Sequence, residues 1–129
     1  DWVRAKQVRE ASTVLQTVRI DNNDFTYIEE HCTAGDLVYF DSPYKPMSIT
    51  ENFTEYNADG FGKEDQERLL EFVAKLDDLG INIVLSNSGV MYDKYKSIGF
   101  SVDMIDAKRS INSDGSNRGD VEEIIAYNT

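Results

Sequence analysis

The sequence predicts an α/β fold, an open sheet with helices between its strands, on the strength of three observations. Leu37-Val38-Tyr39-Phe40, approached through Asp36, is a run of strand-favouring side chains with no polar break, the pattern of a buried strand. Leu69, Phe72, Val73 and Leu76 then fall at i, i+3, i+4 and i+7, which predicts a helix over 64–79 with one apolar face on the sheet. Ile81-Asn82-Ile83-Val84-Leu85 follows at once as a second apolar strand.

Taken in order, residues 1–15 mix Trp2, Val3, Val8, Val14 and Leu15 with charges at loose helical spacing, a helix or a partly ordered lead-in. Thr17-Val18-Arg19-Ile20 alternates and predicts a short strand, closed by a turn at Asp21-Asn22-Asn23. Asp24 is a suitable cap for a helix running through Phe25, Tyr27 and Ile28 to about His31, and Gly35 marks its exit. His31 and Cys32 are adjacent, but the chain holds 1 His and 1 Cys, too few ligands for zinc. They read as a helix end and a small core filler.

The strand over 36–40 runs into Asp41-Ser42-Pro43-Tyr44, a chain reversal at a strand's carboxyl end, where open α/β sheets bind ligands. Residues 45–62 contain Pro46, Gly60 and Gly62 with Phe53, Tyr56 and Phe61, a segment long enough to act as a lid. The plainer reading is that Phe53 and Phe61 pin this loop to the core, and that job suits Phe61 better. Helix 64–79 carries Glu64 and Asp65 in its first turn and Gly80 just past its end; its carboxylates form a solvated outer face.

Strand 81–85 ends in Ser86-Asn87-Ser88-Gly89, which is either a set of small polar groups beside Asp41 or a plain turn. A short helix over 91–98 is stopped by Gly99. Strands at 100–105 and 121–127 are joined by a polar, glycine-containing linker without helical periodicity, so they pair antiparallel. Lys108, Arg109 and Arg118 concentrate positive charge in that linker. Arg109 or Arg118 on a phosphate is one reading; neutralisation of Asp114 and Asp120 is the other, and both stay open.

At 129 residues, 40% hydrophobic and 29% charged, the composition is that of one ordinary globular domain. No apolar run approaches the ~18 residues of a membrane span, and Asp1-Trp2-Val3-Arg4 does not begin a signal peptide. One cysteine permits no internal disulfide, so a reducing, cytoplasmic setting is expected. The net charge of -11 runs against direct phosphate binding, which draws on basic surfaces.

Asp-X-Pro-Tyr has a specific chemistry. The lone pair of a nucleobase exocyclic amine is delocalised into the ring, and two acceptors on its hydrogens help to localise it. Asp41 offers a carboxylate and Ser42 its backbone carbonyl, with Pro43 stiffening the turn. Tyr44 offers a flat face for an extruded base.

The run Asp41-Ser42-Pro43-Tyr44, followed by Asn52-Phe53-Thr54, Tyr56, Gly60-Phe61, Asp65-Gln66, Arg68-Leu69, Leu85-Ser86-Asn87-Ser88 and Arg109-Ser110-Ile111-Asn112, resembles the Dam-like DNA adenine-N6 methyltransferases. The resemblance covers nearly the whole chain and is weakest before about Val18. Members usually read Asp-Pro-Pro-Tyr; Ser42 departs from that but keeps the carbonyl acceptor, implying looser turn geometry rather than lost chemistry.

The resemblance implies a Rossmann-like methyltransferase fold using S-adenosylmethionine, here its closing half with an antiparallel last strand. It implies a flipped adenine held by Asp41, Ser42, Pro43 and Tyr44, with Phe53, Tyr56, Arg109 and Asn112 also on the substrate. Asp24 and Phe25, with Asp41, would meet the cofactor, although an N-cap Asp and a core Phe account for the first pair equally well. Related enzymes act on amines in RNA, on cytosine N4 or on protein glutamine, and a catalytically silent fragment needing a partner half is a further alternative. In the family, the glycine-rich cofactor loop and the target-recognition domain precede the Asp-Pro-Pro-Tyr motif. Neither is found here, so the chain is expected to be the carboxyl-terminal catalytic part of a longer enzyme that meets double-stranded DNA as a whole. The strand bearing Asp41 would then present a bare edge and invite self-association.

Overall fold

The computed structural model describes residues 4–44, 61–108 and 120–129, with the backbone alone at 106–108, 120 and 121. Helix α1 spans Ala5–Leu15, and a 3-10 helix spans Phe25–Glu30. Strand β1, Leu37–Asp41, precedes α2, Lys63–Asp78, which returns the chain to β2, Asn82–Ser88. A 3-10 turn at Gly89–Met91 leads into α3, Tyr92–Ser97, followed by β3, Ser101–Lys108, and β4, Asp120–Tyr127. The sheet order is β1-β2-β4-β3. β1 and β2 are parallel, and β4 is antiparallel to both of its neighbours. This is a mixed α/β sheet of the kind that closes a methyltransferase fold.

Helix α2 forms where its apolar stripe requires it. Leu69, Phe72, Val73 and Leu76 are buried, and Gly62 N–H donates to the Asp65 carboxylate at 3.1 Å to satisfy one free donor at the helix start. The end is a Schellman turn: Gly80 N donates to the Asp77 carbonyl at 2.8 Å and Ile81 N to the Leu76 carbonyl at 3.1 Å. Gly80 adopts φ 77°, a left-handed conformation that glycine reaches without strain. The chain can therefore leave α2 and enter β2 within a few residues.

Strand alternation and register divide the sheet into two faces. Ile83, Leu85, Ile124 and Ala126 are fully buried beneath α2 and α3, together with Tyr95 and Phe100. Leu37 and Tyr39 on β1 point to the opposite side and are 66% and 59% exposed. Val84 and Ile125 share that second face, as the pairings Tyr39↔Val84, Asp41↔Ser86 and Ser86↔Ile125 require.

Three expectations are corrected. Thr17-Val18-Arg19-Ile20 forms no strand: the Thr17 hydroxyl and N–H both bond the Val14 carbonyl, at 2.8 and 3.0 Å, prolonging the end of α1. Alternation alone also supplies no neighbouring strand, and Val18 and Ile20 are exposed. The helix after Asp24 is 3-10 in character. Of the two readings of Ser86-Asn87-Ser88 the plain turn fails and the other holds: the segment is the last part of β2, because Ile125, Ile124 and Glu123 of β4 pair with it, and it sets Ser86 opposite Asp41.

Candidate active site

Asp41 is the last residue of β1, opposite Ser86 on β2. Its carboxylate is exposed at the strand end, and Ser86 Oγ donates to Asp41 Oδ1 at 3.0 Å. Ser42 follows, and its hydroxyl donates to the Ser86 carbonyl at 3.2 Å. One β2 residue therefore holds two consecutive residues of the turn. The Ser42 hydroxyl thus supplies a tie in place of the stiffness that a second proline would give.

Tyr44 lies against the same face. Its hydroxyl donates to Glu123 Oε2 of β4 at 3.2 Å. Burial raises the Tyr44 hydroxyl above its ordinary acidity constant, and the neighbouring Glu123 charge pushes the same way. The side chain is thereby anchored by its tip across the sheet to β4.

The turn is held from the helix side as well. Gln66 Nε2 donates to the Pro43 carbonyl at 2.8 Å, and Asn87 Nδ2 donates to Gln66 Oε1 at 2.9 Å. Asn87 Nδ2 also stands 3.5 Å from both Ser42 Oγ and the Tyr95 hydroxyl, while Asn87 Oδ1 accepts from Ser88 N at 2.8 Å. Gln66 and Asn87 were visible in the motif series without a role. The overlooked signal is that Gln66 stands three residues before Leu69 and seven before Val73, a polar residue on an apolar stripe. Glu123 carried no such signal, because only the β4 register brings it to Tyr44.

Asp24 and Phe25 form a second cluster. Asp24 caps the 3-10 helix by accepting from Thr26 N at 3.1 Å and from Thr26 Oγ1 at 2.6 Å. Arg68 of α2 reaches both Asp24 oxygens at 3.1 Å, bonds Asp65 at 2.8 Å and lies 5.1 Å from the centre of the Phe25 ring. The Thr26 hydroxyl bond, then the Thr26 N–H and Arg68, hold the Asp24 carboxyl below its ordinary range. Phe25 is half-buried, with ring centres 5.6 Å from Phe72 and 6.0 Å from Phe61. Phe72 in turn packs edge-on against Phe40 at 6.3 Å. This aromatic chain connects the Asp24 cluster to the strand end at Asp41, and Phe61 pins the end of its loop as expected. The N-cap and packing roles of Asp24 and Phe25 are therefore real, whatever else the pair binds.

Phe53, Tyr56, Arg109 and Asn112 lie outside the described residues, as do Arg118 and most of the segment over 45–62. Among the described residues, no group of three or more His, Cys, Asp or Glu side chains is arranged to hold a metal, and no helix is long and apolar enough to cross a membrane.

Residues 1–111 match the family of D12 class N6 adenine-specific DNA methyltransferases. The chain belongs to that family. It is 37% identical over 130 residues to the type II methyltransferase M.MjaIII of Methanocaldococcus jannaschii, covering 95% of this chain and 43% of that protein. It is 39% identical over 114 residues to the type II methyltransferase M1.LlaDCHI of Lactococcus lactis subsp. cremoris, covering 87% of this chain and 39% of that protein. The DNA adenine methylase of Escherichia coli K12 is 32% identical over 110 residues, covering 81% and 40% respectively. The chain spans less than half the length of each of these family members.

Proposed function

We propose that this chain carries the amine-orienting part of a site-specific DNA methyltransferase that moves a methyl group from S-adenosylmethionine to adenine N6 of a flipped base. The observation that carries this reading is the exposed Asp41 carboxylate at the end of β1, turned by the Ser86 hydroxyl and followed at once by the Ser42 carbonyl. Asp41 and that carbonyl accept the two N6 hydrogens and direct the lone pair outward. Pro43 limits the turn, and Tyr44 stacks on the base. Positioning and fixed dipoles carry the rate. When bound, S-adenosylmethionine supplies a sulfonium methyl already activated for transfer.

The Asp24 and Phe25 cluster fits the adenine end of that cofactor. A half-buried ring beside a carboxylate combines an apolar face with an acceptor for an exocyclic amine. Asp24 Oδ1 already takes three donors, whereas Oδ2 takes one from Arg68 and keeps acceptor capacity. Phe53, Tyr56, Arg109 and Asn112 join the substrate side by family resemblance.

We assign the chain to the carboxyl-terminal part of the catalytic domain, with the glycine-rich loop and the target-recognition domain in another part of the enzyme. The exposed apolar face at Leu37 and Tyr39 supports this, since a doubly wound sheet covers both faces with helices. Double-stranded DNA is then gripped by the complete enzyme, which accommodates a net charge of -11 in this portion. A cytoplasmic setting follows from that substrate.

The test is methyl transfer from labelled S-adenosylmethionine to adenine-containing DNA, using the chain alone, its Asp41→Ala variant and an amino-terminally extended form. We expect transfer by the extended form and its loss in Asp41→Ala with the fold retained. Turnover that survives Asp41→Ala overturns the role given to the carboxylate. Product mass spectrometry distinguishes N6-methyladenine from methylated cytosine or a protein amide.

A further inference from the structure

We propose that Gln66 is a positioning residue for the Asp41-to-Tyr44 turn, its side-chain amide fixing the peptide that presents the Ser42 carbonyl. The inference rests on the reading of that carbonyl as an acceptor for the target amine.

The argument begins with burial. Gln66 is 2% exposed and Asn87 is fully buried, on the helix-covered face of the sheet. A buried amide is costly unless its donors and acceptors are met, so its partners define what it is there to do. The partners here run in one direction. Ser88 N–H donates to Asn87 Oδ1, which leaves Asn87 Nδ2 to donate to Gln66 Oε1, which in turn leaves Gln66 Nε2 to donate to the Pro43 carbonyl. Flipping either amide would set donor against donor, so the backbone N–H of Ser88 fixes the sense of the whole relay. Bonds ordered in such a row also polarise one another.

The relay ends one carbonyl beyond the acceptor that matters. The Pro43 ring fixes its own φ, so the peptide plane carrying the Ser42 carbonyl is coupled to the Pro43 carbonyl that Gln66 holds. On the other side of that plane, the Ser42 hydroxyl is tied to the Ser86 carbonyl at 3.2 Å. The Ser42 carbonyl is therefore bracketed by two anchors, the Ser86 carbonyl that holds the Ser42 hydroxyl before it and the Gln66 amide that holds the Pro43 carbonyl after it. With Ser42 in place of the usual proline, the turn depends more on these anchors.

The test uses Gln66→Met, which keeps length and bulk but neither donates nor accepts strongly. In single-turnover transfer with the form active in the assay above, the amplitude reports the folded fraction and the rate constant reports positioning. We expect Gln66→Met to lower the rate constant about ten- to a hundredfold while KM for S-adenosylmethionine stays unchanged. Ile81→Val, a core change at the opposite end of β2 from Ser86-Asn87-Ser88, serves as the stability control and should alter amplitude only. An unchanged rate constant in Gln66→Met, or an equal fall in Ile81→Val, overturns the proposal. A readout independent of turnover is hydrogen exchange of the Gln66 side-chain amide in the chain alone. It should be slow relative to that of exposed Gln7, and equal rates would overturn the brace. If no form transfers methyl, the reading of the site fails, and the brace is still decided by that exchange rate.

Discussion

Asp24 accepts from Thr26 and from Arg68 at once, and the sign of its response to pH follows from those partners. Its carboxyl is held below the ordinary value of 3.8, so the folded state favours the charged form. A depressed carboxyl contributes stability that is fully present above its unfolded value and is lost as pH falls through the folded one. Asp24→Asn should therefore melt at a lower temperature than the parent near neutral pH, with the difference vanishing as the solution is taken below the carboxylate range. Melting curves from about pH 6 down to about pH 2.5 check this. The group is exposed, so added salt should shrink the difference as well. A difference that persists in acid would place the effect in the cap geometry rather than in the charge. The cap itself was legible, since Asp before a turn of helix is a local signal. The Arg68 pairing was not, because it depends on how α2 lies against the 3-10 helix.

At the scale of elements, a close approach lies where β2 hands over to the 3-10 turn. A Cβ on Gly89 would stand 2.9 Å from Glu122 Cβ, 3.2 Å from the Glu122 carbonyl and 3.3 Å from Met104 Cε. The first two cannot yield without moving β4. Gly89→Ala should therefore cost about 1–3 kcal/mol, as overpacking does, read as a lower denaturant midpoint. It should also disturb Ser86 to Ser88, and a neutral substitution would mean that β4 shifts freely. The same handover marks what the sequence could and could not reveal. Helix α2 was legible because Leu69, Phe72, Val73 and Leu76 keep a strict period and Gly80 ends it. Strand β1 and the antiparallel pair of β3 and β4 were legible for similar reasons. The extension of β2 through Ser86-Asn87-Ser88 was not, since small polar residues carry turn statistics and only the pairing with β4 makes them strand. Thr17 to Ile20 failed in the opposite way, having the alternation without a neighbour. Of the site, Asp41 and Tyr44 could be named from the motif, but the Ser86, Gln66 and Glu123 contacts that orient the turn arise from register and helix packing.

For the whole molecule, the decisive feature is a sheet that the described residues leave incompletely covered. β1 is its first strand, paired to β2 along one side, and Leu37 and Tyr39 stand exposed on the face away from α2. An apolar strand at a sheet edge offers backbone donors and acceptors to any similar strand, and exposed apolar side chains beside it add a hydrophobic drive. Native edges are commonly blunted by lysine, and β1 has none. The isolated chain should therefore self-associate with rising concentration. Light scattering coupled to size exclusion, run over a hundredfold dilution series, should give a mass above one chain that falls on dilution. Tyr39→Lys should move that midpoint to higher concentration, because it places a charge on the exposed face without touching the buried Phe40. An amino-terminally extended form should remain monomeric over the same range, since its added segment competes for the same edge and face. A chain that stays monomeric throughout would mean that the edge is already protected, and would remove one support for assigning it to part of a larger catalytic domain. Association that Tyr39→Lys leaves unchanged would locate the contact elsewhere, with the exposed Val8, Val14 and Leu15 of α1 the next surface to test.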